Sequence, residues 1–147
     1  SCLFDTYSGA LRAPHSFADF ALYLSYFPKV LAGPIERPGD FLRQLAGARV
    51  VDDRRLARAA TLLAVGLTRK LVIADPLAAQ LPAGAFDAPA DFGSLVLAAT
   101  TVGWAFVLYN DFAGYTGIAR GLSCLFGIEL ARNFAQPFAA SSFTELW

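Results

Sequence analysis

The stretch from Phe92 to Asn110 contains no charged residue, and it restricts the possible folds of this chain more than any other feature. It is rich in Leu, Val, Ala and Phe and includes Trp104. A helix of this length, at about 1.5 Å per residue, is long enough for a hydrocarbon core of about 30 Å. We therefore expect a transmembrane helix here. The alternative is a buried helix of a soluble protein.

The composition favours the membrane over the soluble alternative. Apolar residues make up 56% of the 147 residues and charged residues only 16%, whereas about a quarter of a typical soluble domain is charged. The 12 basic residues balance 12 acidic ones. This balance argues against nucleic-acid binding, which needs a basic surface. The expected partner is therefore the lipid bilayer, and no nucleic acid.

Two cysteines, Cys2 and Cys124, stand far apart in apolar surroundings. Their spacing matches no metal motif, so we expect packed apolar residues, no disulfide, no metal and no bound cofactor. A separate basic cluster has acidic residues among it, which predicts a solvated loop. The alternative is a cytoplasmic loop under the positive-inside tendency. The cluster comprises Arg49, Arg54, Arg55 and Arg58.

The amino-terminal third predicts a broken helical structure. Ser16 and Asp19 have the capping-box spacing, and a helix that is apolar on nearly every side should follow over residues 17–27. Pro28 should break or kink it. Three prolines between Pro28 and Pro38 exclude a continuous helix there. At membrane depth such backbone persists only when buried in protein or lining a wet cavity.

Two further helices are expected before the uncharged stretch. Asp40 should cap a short amphipathic helix, either at the membrane interface or on a soluble surface. A long helix should cover residues 55–79. Arg69 and Lys70 interrupt its apolar run, so the helix should be tilted or end near that pair. A bend is expected at Asp75 and Pro76, followed by a loop over residues 80–91.

Polar residues follow the uncharged stretch directly. An acid such as Asp111 at the membrane edge needs a partner and indicates function. Alternatively, Asp111 caps a second helix that runs to about Phe126 and stops at Gly127. On that helix, small residues should allow close helix approach: Gly114, Gly117 and Gly121.

The last fifteen residues predict a structured loop and one more helix. Asn133, Gln136 and Pro137 are typical of a loop held by side-chain hydrogen bonds. Ser142 and Glu145 have the capping-box spacing for a helix that follows.

Four segments carry motifs in a fixed order. They are FPKVLAGPI at 27–35, KLVIADPL at 70–77, NDFAGY with IARGL at 110–122, and NFAQP with SFTELW at 133–147. Together they resemble the membrane-bound O-acyltransferases, and within them the alginate O-acetylation subgroup. The motif positions are Pro28, Gly33, Pro34, Asp75, Pro76, Gly114, Pro137, Glu145 and Trp147.

The resemblance implies an all-α fold of polytopic transmembrane helices with broken and interfacial helices. Residues 1–147 should form part of that domain, cut at both ends. The implied activity is transfer of an acyl group, acetyl above others, to hydroxyls of a polysaccharide or cell-envelope polymer. The implied donor is acetyl-CoA or an acyl carrier, with partner acetylation proteins passing the group onward. The implied location is the bacterial inner membrane, with several passes.

The chain departs from the motifs at three positions. Gly117 stands where the family usually has Asp, Phe138 replaces the usual Tyr, and Leu146 replaces the usual Phe. The family's catalytic histidine is expected beyond Trp147, and His15 lies in the wrong part of the pattern. We therefore expect His15 to be a loop residue, and no catalytic residue and no activity in this chain alone.

The polar residues of the third and fourth motif segments are expected to line or brace a substrate tunnel and to position groups in it. They are Asn110, Asp111, Tyr115, Asn133 and Gln136. Discontinuous helices with polar groups at mid-membrane are equally typical of a transporter or channel, which is the main alternative. A soluble all-helical packing module is the third.

Overall fold

The computed structural model describes Tyr7, residues 16–30, 33–34, 36–47, 51–134 and 137–142, and Thr144. Every regular element within these ranges is helical, so the expected all-α class is confirmed. Several predictions concern residues that lie outside the described ones. These residues are Cys2, His15, Arg49, Gln136, Glu145 and Trp147.

Helix α1 covers Phe17–Ser25 and begins with the predicted capping box. The Asp19 N–H donates to Ser16 Oγ at 3.1 Å, and the Ser16 N–H donates to Asp19 Oδ2 at 3.1 Å. The helix ends before Tyr26, which is extended, and the short helix α2 follows at Phe27–Val30. The predicted break is thus present, but Pro28 lies in the first turn of the next helix, where its fixed φ is favourable.

Helix α3 covers Pro38–Ala46, and the prediction that Asp40 caps it is wrong. The helix begins at Pro38, because a proline at the first position presets φ and lacks only an N–H that would be unpaired anyway. Arg37 is the capping residue, without a side-chain bond. Asp40 lies in the first turn, where a carboxylate faces the positive end of the helix dipole.

A small core joins α1 and α3 to residues 128–130. The Tyr26 and Phe41 rings meet edge to face with centroids 4.9 Å apart, and Tyr23 lies 5.6 Å from Phe41. The predicted apolar side of α3 is confirmed as the buried one. The buried members of this core are Tyr23, Tyr26, Phe41, Leu42, Ile128 and Leu130.

The predicted long helix is present and is continuous from residue 53 to residue 80. Helix α4, Asp53–Leu67, runs into a π-helical segment at Thr68–Ala74 and then into helix α5, Asp75–Gln80. Of the two alternatives, the end near Arg69 and Lys70 is wrong, because the helix widens there instead of stopping. The alternative of a tilted helix stays a prediction. The Asp75 N–H donates to the Lys70 carbonyl five residues back, and the widened segment ends just before Pro76.

The amino-terminal end of α4 corrects the prediction of a basic loop. Asp52 caps the helix, with its Oδ1 accepting the Arg55 N–H at 2.8 Å. Arg54, Arg55 and Arg58 therefore lie on a helix. Arg55 and Arg58 both pair with Glu129, at 3.7 and 2.9 Å.

Helix α6 covers Ser94–Leu125 and contains residues 94–110 of the uncharged stretch. In the described part of the chain it is the one helix long and apolar enough to cross a membrane. The alternative that Asp111 opens a second helix is wrong, because α6 passes through Asn110 and Asp111 without a break. The Asn110 Nδ2 donates to the Phe106 carbonyl at 2.9 Å, so this side chain stays on its own helix.

The connections are short. The predicted loop after α5 contains Gly84 at φ 77° and a 3-10 turn at Pro89–Asp91. The predicted stop of α6 at Gly127 is confirmed, and Gly127 has φ 76°. A second 3-10 turn covers Pro137–Ala139.

Helices α4 and α6 approach backbone to backbone. A Cβ atom placed on Gly114 would lie 2.9 Å from the Gly66 carbonyl oxygen, and one on Gly117 would lie 3.2 Å from Gly66 Cα. One on Gly121 would lie 2.8 Å from Leu63 Cγ. The predicted role of these three glycines in close helix approach is therefore confirmed.

Candidate functional site

Lys70 joins the second motif segment to the third. Its Nζ lies 2.7 Å from Asp75 Oδ1 and 2.6 Å from Asp111 Oδ1. Asp75 opens α5, and Asp111 lies on α6. The lysine therefore links the π-helical segment and its continuation to the middle of the long apolar helix.

The expectation that Asp111 needs a partner is met by Lys70. In the sequence, Lys70 only interrupts an apolar run, and it is not predicted as that partner. A signal was available, because a basic residue in an apolar helix is stable only beside protein groups that compensate its charge. What the sequence lacked was the relative rotation of α6 and the preceding helix, which brings the two side chains together.

A cleft of about 370 Å³ lies between α4, the π-helical segment, α6 and residues 132–134. Leu62, Val65 and Phe134 form part of an apolar wall. Thr116 and Asn133 add polar groups, and the Asn133 Nδ2 donates to Thr116 Oγ1 at 3.5 Å. The volume lies within the range of small-molecule sites.

Three arginines also line this cleft: Arg69, Arg120 and Arg132. The Arg120 Nε donates to the Leu130 carbonyl at 3.3 Å, and the Arg132 Nε donates to the Phe134 carbonyl at 2.6 Å. The Arg69 guanidinium carbon lies 5.5 Å from the centre of the Tyr109 ring, a cation–π arrangement. None of the three arginines is a predicted site residue, although Arg120 lies inside a motif segment and Arg132 directly precedes another.

The described members of the expected tunnel set lie at two places. Asn133 lines the cleft, whereas Asp111 pairs with Lys70. Asn110 bonds to its own helix, and Tyr115 is half-buried on α6. Neither Asn110 nor Tyr115 is among the residues that line the cleft. A role of these residues in a tunnel stays a prediction.

The first motif segment is attached to the segment that precedes the fourth. Pro28 and Pro34 are buried. The Tyr23 hydroxyl donates to the Glu36 carbonyl at 2.9 Å, and the Ala131 N–H donates to the Glu36 carboxylate. Burial raises the pKa of Glu36, and the bond from Ala131 opposes that rise only in part.

The remaining described motif positions have packing roles. Gly33 lies against the backbone of Lys29, where a Cβ atom would overlap. Pro137 opens a 3-10 turn whose Phe138 ring stacks on Phe106, with centroids 5.1 Å apart. The contact between Phe138 and Phe106 holds the turn at residues 137–139 against α6.

Comparison with known protein families identifies the family of this chain. The sequence profile described as MBOAT, membrane-bound O-acyltransferase family, matches residues 5–147. The chain belongs to this family. The resemblance carried by the motifs is therefore confirmed, and family membership favours acyl transfer over transport.

Individual relatives differ in the polymer after which they are named. The chain is 34% identical over 148 residues to a probable alginate O-acetylase, AlgI, of Pseudomonas aeruginosa, covering 100% of this chain and 28% of the relative. It is 32% identical over 133 residues to a peptidoglycan O-acetyltransferase of Helicobacter pylori, covering 89% and 25%. It is 28% identical over 144 residues to a teichoic acid D-alanyltransferase of Streptococcus thermophilus, covering 90% and 33%. The chain thus spans a quarter to a third of these relatives.

Proposed function

We propose that the protein carrying this chain transfers an acyl group, acetyl in the first place, to hydroxyls of an exopolysaccharide or cell-envelope polymer. The observation that carries the proposal is the family match over residues 5–147. Relatives named for alginate, peptidoglycan and teichoic acid support a polymeric acceptor. They also support acyl transfer as the shared chemistry, since two are named for acetyl and one for D-alanyl.

The reaction joins the acceptor hydroxyl oxygen to the acyl carbonyl carbon and breaks the bond from that carbon to the donor. A base must take the hydroxyl proton, and a histidine suits this role because its pKa lies near neutral pH. We expect that histidine outside residues 1–147. The donor we propose is acetyl-CoA or an acyl carrier, with partner acetylation proteins passing the group to the polymer.

The part of this chain is to position groups within the enzyme. The Lys70 link fixes α6 against the helix that carries the π-helical segment, and such segments are frequent at functional sites. The cleft beside it offers a volume of about 370 Å³ with polar and apolar walls. The protein would sit in a bacterial inner membrane with several passes, of which α6 is the candidate span in this chain.

The test is complementation of a bacterium from which the gene has been deleted. Exopolysaccharide and cell-envelope polymers are isolated, and mild base releases their esters as acetate or D-alanine. We expect acetate from the complemented strain and little from the deletion strain. Release of D-alanine alone would correct the acyl group, and no change in either product would contradict acyl transfer to a polymer.

A further inference from the structure

The wall of the cleft beside α6 is positively charged. Arg69, Arg120 and Arg132 line it, and its lining residues include no carboxylate. Within the described residues, none of the three arginines forms an ion pair. The nearby Glu129 is engaged by Arg55 and Arg58 on α4, at 3.7 and 2.9 Å.

The three guanidinium groups keep donors available for a ligand. Arg120 and Arg132 each use the Nε–H to hold a carbonyl of the segment after α6. A guanidinium has five N–H donors in a rigid planar fork, so four remain on each of these two residues after the hydrogen bonds among the described residues are counted. Arg69 rests against the face of the Tyr109 ring, which leaves its edge free to donate.

Like charges held close together repel one another, so an anion bound among the three arginines is stabilising. We propose that this cleft binds a phosphate group. A single carboxylate is saturated by one or two forks and carries one charge. A phosphate offers three terminal oxygens and a charge of about −1.5 to −2, which suits three guanidinium groups better.

Gly117 keeps the cleft open and positive. It lines the same cleft, one helical turn before Arg120 on α6. A carboxylate side chain at this position would stand among the guanidinium groups. Glycine adds no carboxylate there, which leaves room for the negative charge of a ligand.

The test is binding of inorganic pyrophosphate to the full-length protein in nanodiscs of zwitterionic lipid. We expect saturable binding that weakens about tenfold or more in Arg69→Gln and in Arg132→Gln, because each removes charge-assisted hydrogen bonds. The matched control is Arg43→Gln, an exposed arginine on α3 that pairs with Asp40 at 3.2 Å. It should bind like the wild type.

A second pair of variants separates charge from packing. Gly117→Asp and Gly117→Ala place the same Cβ atom 3.2 Å from Gly66 Cα. Only the former adds a carboxylate, so it should bind pyrophosphate about tenfold more weakly than the alanine variant. If both variants fail to fold, the arginine variants still decide the question, because Arg132 is exposed.

Two further binding experiments identify the source and the chemistry of the ligand. Competition by phosphatidic acid in the nanodiscs, whose headgroup is a phosphate monoester, would assign the site to a lipid headgroup, and a lack of competition would assign it to a soluble donor. Galacturonate that binds as tightly as pyrophosphate would overturn the phosphate assignment. Absence of pyrophosphate binding, or binding that ignores the arginine variants, would overturn the site. Because binding needs no acyl transfer, a protein that binds pyrophosphate but acylates no polymer contradicts only the proposed function.

Discussion

Lys70 Nζ lies 2.6 Å from Asp111 Oδ1 and also bonds Asp75, so one ammonium group holds two carboxylates from different helices. All three side chains are about half exposed in this chain. Where water reaches such pairs they contribute little to stability, whereas in a low-dielectric setting the loss of one partner is costly. The link therefore matters most if this part of α6 lies within the bilayer.

Replacing the shared cation should harm the protein more than replacing either anion. Lys70→Met leaves Asp75 and Asp111 close together without a counter-charge, whereas Asp75→Asn or Asp111→Asn leaves one ion pair intact. We expect the largest fall in melting temperature for Lys70→Met. Thermal unfolding of the full-length protein in detergent measures this, and equal effects of the three variants would contradict the shared bridge.

Because α4 and α6 lie so close together, one added methyl group between them should clearly lower the stability of the protein. In Gly114→Ala, the new Cβ atom would lie 2.9 Å from the Gly66 carbonyl oxygen and 3.0 Å from the Lys70 nitrogen. Both neighbours are backbone atoms, so the helices must move apart. Overpacking of this kind costs about 1–3 kcal/mol.

The control for that variant is Gly93→Ser. A Cβ atom at Gly93 has nothing within 4 Å, and serine is a favourable residue at the start of a helix. A melting temperature near that of the wild type is expected for the control and a clear decrease for Gly114→Ala. Equal melting temperatures for the two variants would show that the helices are not in close contact.

Local signals in the sequence predicted the helices well. The capping box at Ser16, the uncharged stretch of α6 and the stop at Gly127 each depend on neighbours within a few residues, and each is present. The errors occurred where a local signal competes with packing or with a second local signal. Asp111 could cap a helix, but Lys70 holds its carboxylate in mid-helix, and Pro38 starts α3 ahead of Asp40.

The cleft could not be predicted from such local signals. Arg69 comes from the π-helical segment, Arg120 from α6 and Arg132 from the loop after it. Bringing them together depends on the helix contact at Gly66 and Gly114 and on the widened helix turn. Neither leaves a periodic signal in the sequence, so the side chains that share the cleft appeared only with the fold.

Because the Glu36 carboxyl is buried, we expect the free energy of unfolding to fall as pH rises from mildly acidic values. Burial raises the pKa of its carboxyl above the ordinary value of 4.5. Between the ordinary and the raised pKa, the folded protein binds more protons than the unfolded one. The free energy of unfolding therefore decreases as pH rises through that window.

The matched variant is Glu36→Gln, which keeps an oxygen to accept the Ala131 N–H but cannot ionise. Melting temperatures from pH 4 to neutral pH should show a decline in the wild type that is smaller in Glu36→Gln. Parallel curves for the two proteins would mean that Glu36 does not lose its proton differently on unfolding.

Replacing Asp111 by alanine should reduce acylation without affecting membrane insertion. The uncharged stretch that precedes it is untouched by Asp111→Ala, so the protein should still be found in the membrane fraction at normal amounts. Acetate released from the polymer should fall several-fold, because α6 loses its link to Lys70 and the groups it carries lose their positions. Asp111→Glu retains the charge and should restore part of the activity, whereas a merely bulky or apolar replacement should not. Normal acetate release from Asp111→Ala at normal expression would mean that the bridge positions nothing the reaction needs.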